Sequence, residues 1–215
     1  HYESGLINLV VFPEYFDVSL RALDIKIFGY PLFQVAANFT EHTILFQIFH
    51  FFYMSYYFLL LFPVMLIYYQ KPKDQTAFTG QAEESMFLLL FTMFVCYWIF
   101  IIFPVIGPTE VHYEIFNNHG GFVKIVNYFF KYGDSAGGAM PSSHVSVSLV
   151  VTLFSFQYLK KIAPYILFIF IMLTLSTVFC SFHYALDVIA GILVGFSLYY
   201  LGNMIHDNLK QTLEV

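Results

Sequence analysis

Five long apolar segments limit what this chain can fold into more than any other feature. The hydrocarbon core of a bilayer needs about 20 apolar residues per helix, and each segment comes near that length. The sequence therefore predicts an all-α fold, a polytopic transmembrane helix bundle. The five predicted spans are Leu45–Tyr69, Ser85–Ile106, Ser143–Tyr158, Ile162–Cys180 and Ala185–Ile205.

The composition supports a membrane protein. Of the 215 residues, 59% are hydrophobic and 11% are charged, whereas soluble domains carry roughly 25% charged residues. The formal net charge of −5 argues against nucleic-acid binding, which needs a basic surface. Cys96 and Cys180 lie in apolar runs, so we predict buried thiols rather than a disulfide or a metal-binding pair.

The lysines indicate how the bundle is oriented. Cytoplasmic links of membrane proteins are enriched in Lys and Arg, and three connections on one side of the predicted bundle carry lysines. These are Lys71 and Lys73 after the first span, Lys160 and Lys161 after the third, and Lys210 in the tail. The 107–140 and 181–184 links are therefore predicted to be extracytoplasmic.

The whole chain is predicted to form one integral-membrane domain. Residues 1–44 contain Pro13, Pro31 and several charged residues, so we expect short amphipathic helices in an interfacial or lumenal segment. Residues 45–205 are predicted to form the transmembrane core, and residues 206–215 a cytoplasmic tail.

The link over residues 107–140 is predicted to be an active-site loop, because long ordered links are usually functional. Its apolar residues recur at helical spacing, which predicts a helix lying on the membrane surface. They are Phe122, Ile125, Val126, Phe129 and Phe130.

A glycine-rich loop, residues 133–144, ends at Pro141 and a predicted helix start. Glycine lets backbone N–H groups approach an anion closely, and a helix N-terminus adds unpaired donors and a favourable dipole. Gly138, Ser142 and Ser143 are therefore candidate phosphate-binding residues.

His183 and Asp187 are spaced i and i+4, which places them on one helix face. A carboxylate inside an apolar helix is costly and usually functional. His144 adds a second imidazole on the same predicted face of the membrane. An anion cradle, two histidines and one carboxylate are the parts needed to transfer a phosphoryl group through a histidine.

The corresponding chemistry assigns one role to each side chain. His183 attacks phosphorus, and Asp187 orients its ring and stabilises the cation that forms. His144 donates a proton to the leaving alkoxide, and the loop amides with the serine hydroxyls hold the non-bridging oxygens. No step requires a metal ion or a cofactor.

Simpler interpretations exist for several of these features. The Pro-Ser-Ser run is also an ordinary helix start. Gly191 and Gly195 are more typical of helix packing than of chemistry. The other histidines are predicted to be interfacial polar groups; they include His50, His112, His119 and His206.

At the two motifs the chain resembles the type 2 phosphatidic acid phosphatase superfamily. Pro141, Ser142 and His144 match its second motif, Pro-Ser-Gly-His, with Ser143 in place of the glycine. Its third motif is matched by Ser176, His183 and Asp187. The resemblance implies that His183 is the nucleophile, Asp187 its partner and His144 the acid. It also implies six spans and an extracytoplasmic site, so we expect a first span before His1.

The family's motif arginines have no counterpart here. Thr177 and Ser181 stand at two of their positions, and Arg21 is the only arginine in the chain. Other basic residues are therefore candidates to bind phosphate, with Lys131 as our main prediction. The alternatives are Lys124, His112 and His119, or the amide cradle alone.

The first half of the chain is similar to one branch of that superfamily, the inositol phosphorylceramide synthases and their bacterial relatives. The similarity rests on Leu23-Asp24, Phe28-Gly29, Phe103-Pro104 and Gly107-Pro108, with an aromatic-rich span between them.

Three functions follow as hypotheses. The first is a membrane phosphatase that hydrolyses a lipid phosphate or diphosphate, with a phospholipid or polyprenyl phosphate in the bilayer as substrate. The second is a phosphotransferase that moves the phosphoryl or phospho-head group to an alcohol, which the branch similarity favours. The third is a lipid-phosphate binder without catalysis, in which His183 is dispensable.

Overall fold

The fold is helical throughout the part of the chain that the computed structural model describes, residues 11–69, 75–117, 119–133 and 136–213. The side chains of residues 75–79, 131–133 and 213 lie outside this description. No strand occurs among the described residues. In chain order the helices are α1 (Asp17–Phe28), a 3₁₀ helix (Leu32–Phe39), α2 (Thr43–Tyr69), α3 (Gln75–Ile102), α4 (Thr109–Phe116), α5 (Phe122–Gly133), α6 (Ser143–Tyr158), α7 (Ala163–Phe179) and α8 (Ala185–Leu213).

Three of the helices are long and apolar enough to cross a membrane. They are Thr43–Tyr69, Gly80–Ile102 and Ala185–Thr212, and they correspond to the first, second and fifth predicted spans. The other two predicted spans are helices of 16 and 17 residues. At 1.5 Å per residue they reach only about 24–26 Å, so their crossing of the bilayer stays a prediction.

The predicted end of the second span was wrong. The second span was expected to reach Ile106, but α3 ends at Ile102. Pro104 disfavours helical geometry in the residue before it, and the backbone then turns towards α1, where Phe16 N–H donates to Pro104 C=O at 3.0 Å.

Helix α6 lies at the centre of the bundle. Ten of its 16 residues are buried, from Val145 to Ser155, and it packs against α2, α3, α7 and α8. The contact with α8 is very close at two glycines: a Cβ on Gly191 would lie 2.8 Å from Ser142 O, and one on Gly195 would lie 2.8 Å from Ser146 O. The prediction that these glycines serve helix packing is confirmed.

One end of the bundle gathers lysine-bearing segments. A Cβ added to Gly80 would lie 3.5 Å from Lys210 Nζ. The end of α8 therefore lies beside the start of α3. Tyr158, next to the lysine-bearing turn after α6, lies near Glu84 of α3. Lys71 and Lys73 lie outside the described residues.

The opposite end carries α1, the 3₁₀ helix, α4 and α5. The residues Phe122–Phe130 form a helix, α5, as predicted; its position on the membrane surface stays a prediction, and α4 was not predicted. An aromatic cluster joins these short helices to the ends of α2 and α7; its fully buried members include Phe46 and Phe116. Cys96 and Cys180 are buried free thiols, as predicted.

Candidate active site

The two motifs meet where α6 begins and α8 begins. The backbone N–H of Ser142 donates to the carbonyl of Asp187 at 3.0 Å. One turn further, the Ser146 hydroxyl donates to the carbonyls of Ser142 and Gly191, each at 3.0 Å. Because Gly191 lacks a side chain, the two helix starts approach closely enough for these bonds.

Ser142 is the N-cap of α6. Its Oγ accepts from Val145 N–H at 3.4 Å, and the residue is fully buried. The first-turn N–H groups of a helix have no acceptor within the helix. Those of Ser143 and His144 form no hydrogen bond with another described residue, so two backbone donors remain at the helix N-terminus.

Gly138 lies beside this helix start in an isolated parallel bridge with Val105. Val105 N–H donates to Gly137 C=O at 3.3 Å, and Ala139 N–H donates to Val105 C=O at 2.8 Å. Val105 forms its hydrogen bonds with Gly137 and Ala139, the neighbours of Gly138. The N–H and C=O of Gly138 itself therefore point away from Val105.

His183 lies in the turn just before α8 and faces Asp187 in the first turn of that helix. The prediction that both residues lie on one helix face was wrong, because α8 begins only at Ala185. His183 Nδ1 lies 3.5 Å from Asp187 Oδ2, and both side chains are buried. The same oxygen accepts from Tyr184 N–H at 2.8 Å, which fixes the carboxylate. The 3.5 Å separation is longer than an N–H···O hydrogen bond, but catalytic hydrogen bonds often tighten only when substrate binds.

The backbone before His183 is held by α7. The carbonyl of Thr177 accepts from the N–H groups of both Phe182 and His183, at 3.0 and 3.1 Å. Ser181 adopts a left-handed conformation with φ of 56°, and its hydroxyl donates to Phe33 C=O at 2.6 Å. These bonds order the turn that presents the His183 ring.

His144 reaches the same place from the first turn of α6. Its ring centroid lies 5.8 Å from that of His183, with the rings at 64°. Tyr53 stacks on His144 at 4.9 Å, and Tyr56 contacts it at 4.3 Å. Among the described residues, His144 Nδ1 has no hydrogen-bond partner.

His112 lies behind the His183 turn and is not available to a ligand. Its Nδ1 lies 2.6 Å from Cys180 O and its Nε2 lies 2.6 Å from the side-chain oxygen of Asn127. Burial lowers the pKa of His112, with the two hydrogen bonds opposing that shift. A neutral ring donates to the carbonyl and accepts at Nε2, so the Asn127 amide nitrogen should face the ring. His112 as a phosphate ligand was therefore a wrong alternative.

Helix α1 supports the site from its outer side. Asp17 accepts from Ile106 N–H and Gly107 N–H, each at 2.9 Å, and Asp24 accepts from Leu186 N–H at 2.9 Å. Burial raises the pKa of both carboxyls, and the backbone hydrogen bonds oppose that shift. The sequence did not predict these hydrogen bonds: Asp17 counted only among the charged residues of a non-membrane segment, and Asp24 also as part of the Leu23-Asp24 similarity.

The predicted residues are thus brought together in part. His144, His183, Asp187, Ser142 and Ser143 converge at the α6 and α8 starts, and Gly138 belongs to the loop that leads to α6. The side chain of Lys131 lies outside what is described, so its role stays a prediction. Lys124 is exposed on α5.

Two positions that hold arginine in the resembled motifs have structural roles here. Thr177 is fully buried, and its hydroxyl donates to Thr174 C=O at 2.7 Å; Ser181 bonds to Phe33. Arg21 places its guanidinium carbon 5.2 Å from the centre of the Phe33 ring. Within the described residues, no group of three or more His, Cys, Asp or Glu side chains is placed to hold a metal ion.

Sequence reasoning also missed Tyr53 and Tyr56. With 28 Phe and 17 Tyr in the chain, two tyrosines inside a span carry no distinct signal. Their spacing of three residues places both on one helix face, and only the fold shows that this face meets His144.

Comparison with known proteins gives one family. The model described as the PAP2 superfamily matches residues 19–201, a range that contains every residue of the site. No curated protein and no solved structure matches the chain.

Proposed function

The chain belongs to the PAP2 superfamily of membrane phosphatase-type proteins, and from that premise we propose that it hydrolyses a lipid phosphate or diphosphate through a phosphohistidine. The observation that carries the proposal is the pairing of His183 with Asp187 at 3.5 Å beside the ring of His144. A nucleophile, its orienting carboxylate and a second imidazole are the groups that such a reaction needs.

In the first step His183 attacks phosphorus. Its Nδ1 faces Asp187, so Nδ1 carries the proton and the lone pair of Nε2 forms the N–P bond. The bond between phosphorus and the lipid oxygen breaks, and protonated His144 gives its proton to that oxygen. The Asp187 carboxylate stabilises the positive charge on the phosphorylated ring.

In the second step water attacks the phosphohistidine. His144, now neutral, takes a proton from the water, and the N–P bond breaks to release inorganic phosphate and neutral His183. His144 leaves this step protonated and ready for the next turnover. The two histidines thus exchange no proton with each other.

Backbone donors are the proposed ligands of the phosphoryl oxygens. The N–H groups of Ser143 and His144 lie at the N-terminus of α6, which is the positive end of the helix dipole. Gly138 lies on the loop that leads to this N-terminus. The Ser142 and Ser143 hydroxyls and the Lys131 ammonium complete the proposed set. This set takes the place of the arginines that the chain lacks at the family's motif positions.

The alternative is transfer to an alcohol. An alcohol that replaces water in the second step gives a new phosphate ester, and the similarity to inositol phosphorylceramide synthases favours this variant. The same side chains serve both reactions, so the product distinguishes them.

The site is proposed to face the extracytoplasmic side. Lys210 and the turn with Lys160 and Lys161 lie at the end of the bundle opposite to His183, and lysine-rich ends usually face the cytoplasm. We propose that α6 and α7 also cross the membrane, since α6 packs against all three long helices and α7 packs against α2, α6 and α8.

The test uses the purified full chain in detergent, with phosphatidic acid, polyprenyl diphosphate and an alcohol acceptor. His183→Ala and His144→Ala are expected to lower kcat by at least about a hundredfold, and Asp187→Asn by a similar factor. Released phosphate identifies hydrolysis, and a phosphorylated acceptor identifies transfer.

The chain offers a matched control. His206 and Asp207 form a second His–Asp contact, at 4.0 Å, at the opposite end of α8. His206→Ala and Asp207→Asn should retain turnover. Full activity of His183→Ala would contradict the proposal, and lipid binding without turnover in the wild type would support the non-catalytic binder.

A further inference from the structure

Two tyrosines of α2 enclose the ring of His144. Tyr53 lies nearly parallel to it, at 27° and 4.9 Å between centroids, and Tyr56 lies at 46° and 4.3 Å. Both tyrosines are buried, with 7% and 6% of their surface exposed. We call Tyr53 and Tyr56 the tyrosine pair.

His144 differs from His183 in its charge partners. His183 has the Asp187 carboxylate, whereas His144 forms no ion pair with a described carboxylate and its Nδ1 has no described hydrogen-bond partner. Yet a histidine that donates a proton to a leaving group must first carry a positive charge. The described groups that lie against the ring and favour that charge are the two tyrosine faces.

The face of an aromatic ring attracts a cation within about 6 Å of its centroid, and more strongly when both are desolvated. Both rings of the tyrosine pair meet this distance. Tyr53 also stacks on Phe182 at 4.3 Å and 25°, and Phe182 directly precedes His183. The same tyrosine therefore contacts the ring of the proposed acid and the residue that precedes the proposed nucleophile.

We propose that the tyrosine pair positions His144 and stabilises its protonated form for proton donation to the leaving alkoxide. This inference rests on the proposed function, and it makes Tyr53 and Tyr56 positioning residues for that reaction. The titratable groups that face His144 from the described elements are Tyr53, Tyr56 and His183, with Asp187 behind His183.

The experiment compares two phosphate monoesters that differ in their need for an acid. The alkoxide of a long-chain alkyl phosphate needs a proton as it leaves, whereas p-nitrophenolate does not. Tyr53→Leu and Tyr56→Leu are each expected to lower kcat for the alkyl ester about tenfold and to change kcat for the nitrophenyl ester by less than about twofold. Tyr56→Phe keeps the ring face and should retain both activities.

The pH profile gives a second readout. Loss of a tyrosine face favours the neutral imidazole, so the alkaline limb of kcat for the alkyl ester should move to lower pH in the leucine variants. In a His144→Ala background, adding Tyr56→Leu should cause no further loss. Tyr200→Leu is the matched control, because Tyr200 is exposed on α8 and its ring contacts Tyr199 rather than His144.

Equal losses on both esters, an unmoved alkaline limb, or additive losses in the His144→Ala background would each overturn the role of the tyrosine pair. If a leucine variant does not fold, fluorinated phenylalanines at position 56 keep the shape and weaken the negative ring face. Each added fluorine should move the alkaline limb of the kcat profile further to lower pH. If the limb does not move, the inference is overturned.

Trapping of phosphohistidine on the wild-type chain separates the two proposals. Normal trapping together with uniform losses in the tyrosine variants would overturn only the role of Tyr53 and Tyr56. Failure to trap it at His183, with turnover present, would overturn the proposed function and this inference with it.

Discussion

Asp24 of α1 accepts a hydrogen bond at 2.9 Å from the backbone N–H of Leu186, 162 positions later in the chain. Asp24 is fully buried, and Leu186 belongs to the first turn of α8. A side chain from the N-terminal segment therefore caps the helix that carries Asp187.

Removal of this cap should destabilise the protein. Asp24→Ala is expected to lower the free energy of unfolding by about 1–2 kcal/mol, because the first turn of α8 loses an acceptor. Asp24→Asn keeps an oxygen in place and should lose less. Thermal unfolding in detergent measures both, with Glu41→Ala at an exposed position as the control; equal stability of Asp24→Ala and wild type would contradict the capping role.

Asp24 also predicts a pH effect of definite sign. Burial raises the pKa of its carboxyl above the ordinary 3.8, so the folded state binds the proton more tightly than the unfolded state. Its contribution is fully present below that ordinary value and is lost as pH rises through the raised pKa. As pH rises from 3.8 through the raised pKa of Asp24, wild type should lose stability relative to Asp24→Asn; parallel stability curves of the two proteins would contradict this account.

Asp17 is expected to tolerate asparagine poorly. Its two oxygens accept from Ile106 N–H and Gly107 N–H, each at 2.9 Å, and an amide offers only one oxygen. Asp17→Asn should therefore leave one backbone donor without its acceptor and cost about 1 kcal/mol. The unfolding midpoint tests this against Glu14→Gln on an exposed neighbour, and an unchanged midpoint in Asp17→Asn would count against it.

Gly191 should not accept a methyl group. An added Cβ would lie 2.8 Å from the carbonyl of Ser142, and backbone cannot yield as a flexible side chain can. Gly191→Ala is expected to cost about 1–3 kcal/mol and to lower turnover, since Ser142 begins the His144 helix. Gly80→Ala is the control, because the nearest atom to its new Cβ outside its own helix would be Lys210 Nζ at 3.5 Å, an ordinary contact; equal effects at both glycines would contradict the prediction.

His112 should make the protein sensitive to mild acid. Burial lowers the pKa of His112 below 6.5, so below that pH the unfolded state binds a proton that the folded state does not. Stability should fall as pH falls through about 6.5. Asn127→Asp places a carboxylate at Nε2 of His112, favours the imidazolium and should weaken this fall; unfolding midpoints across pH test it, and an unchanged slope would contradict the buried neutral ring.

The sequence sufficed for the parts of the site that follow from local spacing. The spacing of His183 and Asp187 predicted that the two side chains meet, although His183 lies in the turn before α8 and not on the helix. Ser142 caps α6 because a serine precedes the helical segment. The apolar runs predicted the five long helices of the bundle, and the spacing of Phe122, Ile125 and Phe129 predicted α5.

Contacts between segments that are distant in the chain could not be predicted from the sequence. Nothing near Asp24 indicates that its partner is Leu186, and Tyr53 resembles every other aromatic residue of its span. Helix α4 has only eight residues and a buried histidine, so its pattern is too short to read as a helix.

The most direct test of the account is the site of covalent phosphorylation. The full chain is mixed with radiolabelled phosphatidic acid, quenched during turnover, and digested for mass spectrometry under mild alkaline conditions that preserve phosphohistidine. The account predicts acid-labile phosphate on His183, absent from His183→Ala and present in His206→Ala. Turnover of the lipid with no phosphate on His183, or with the label on another residue, would contradict it.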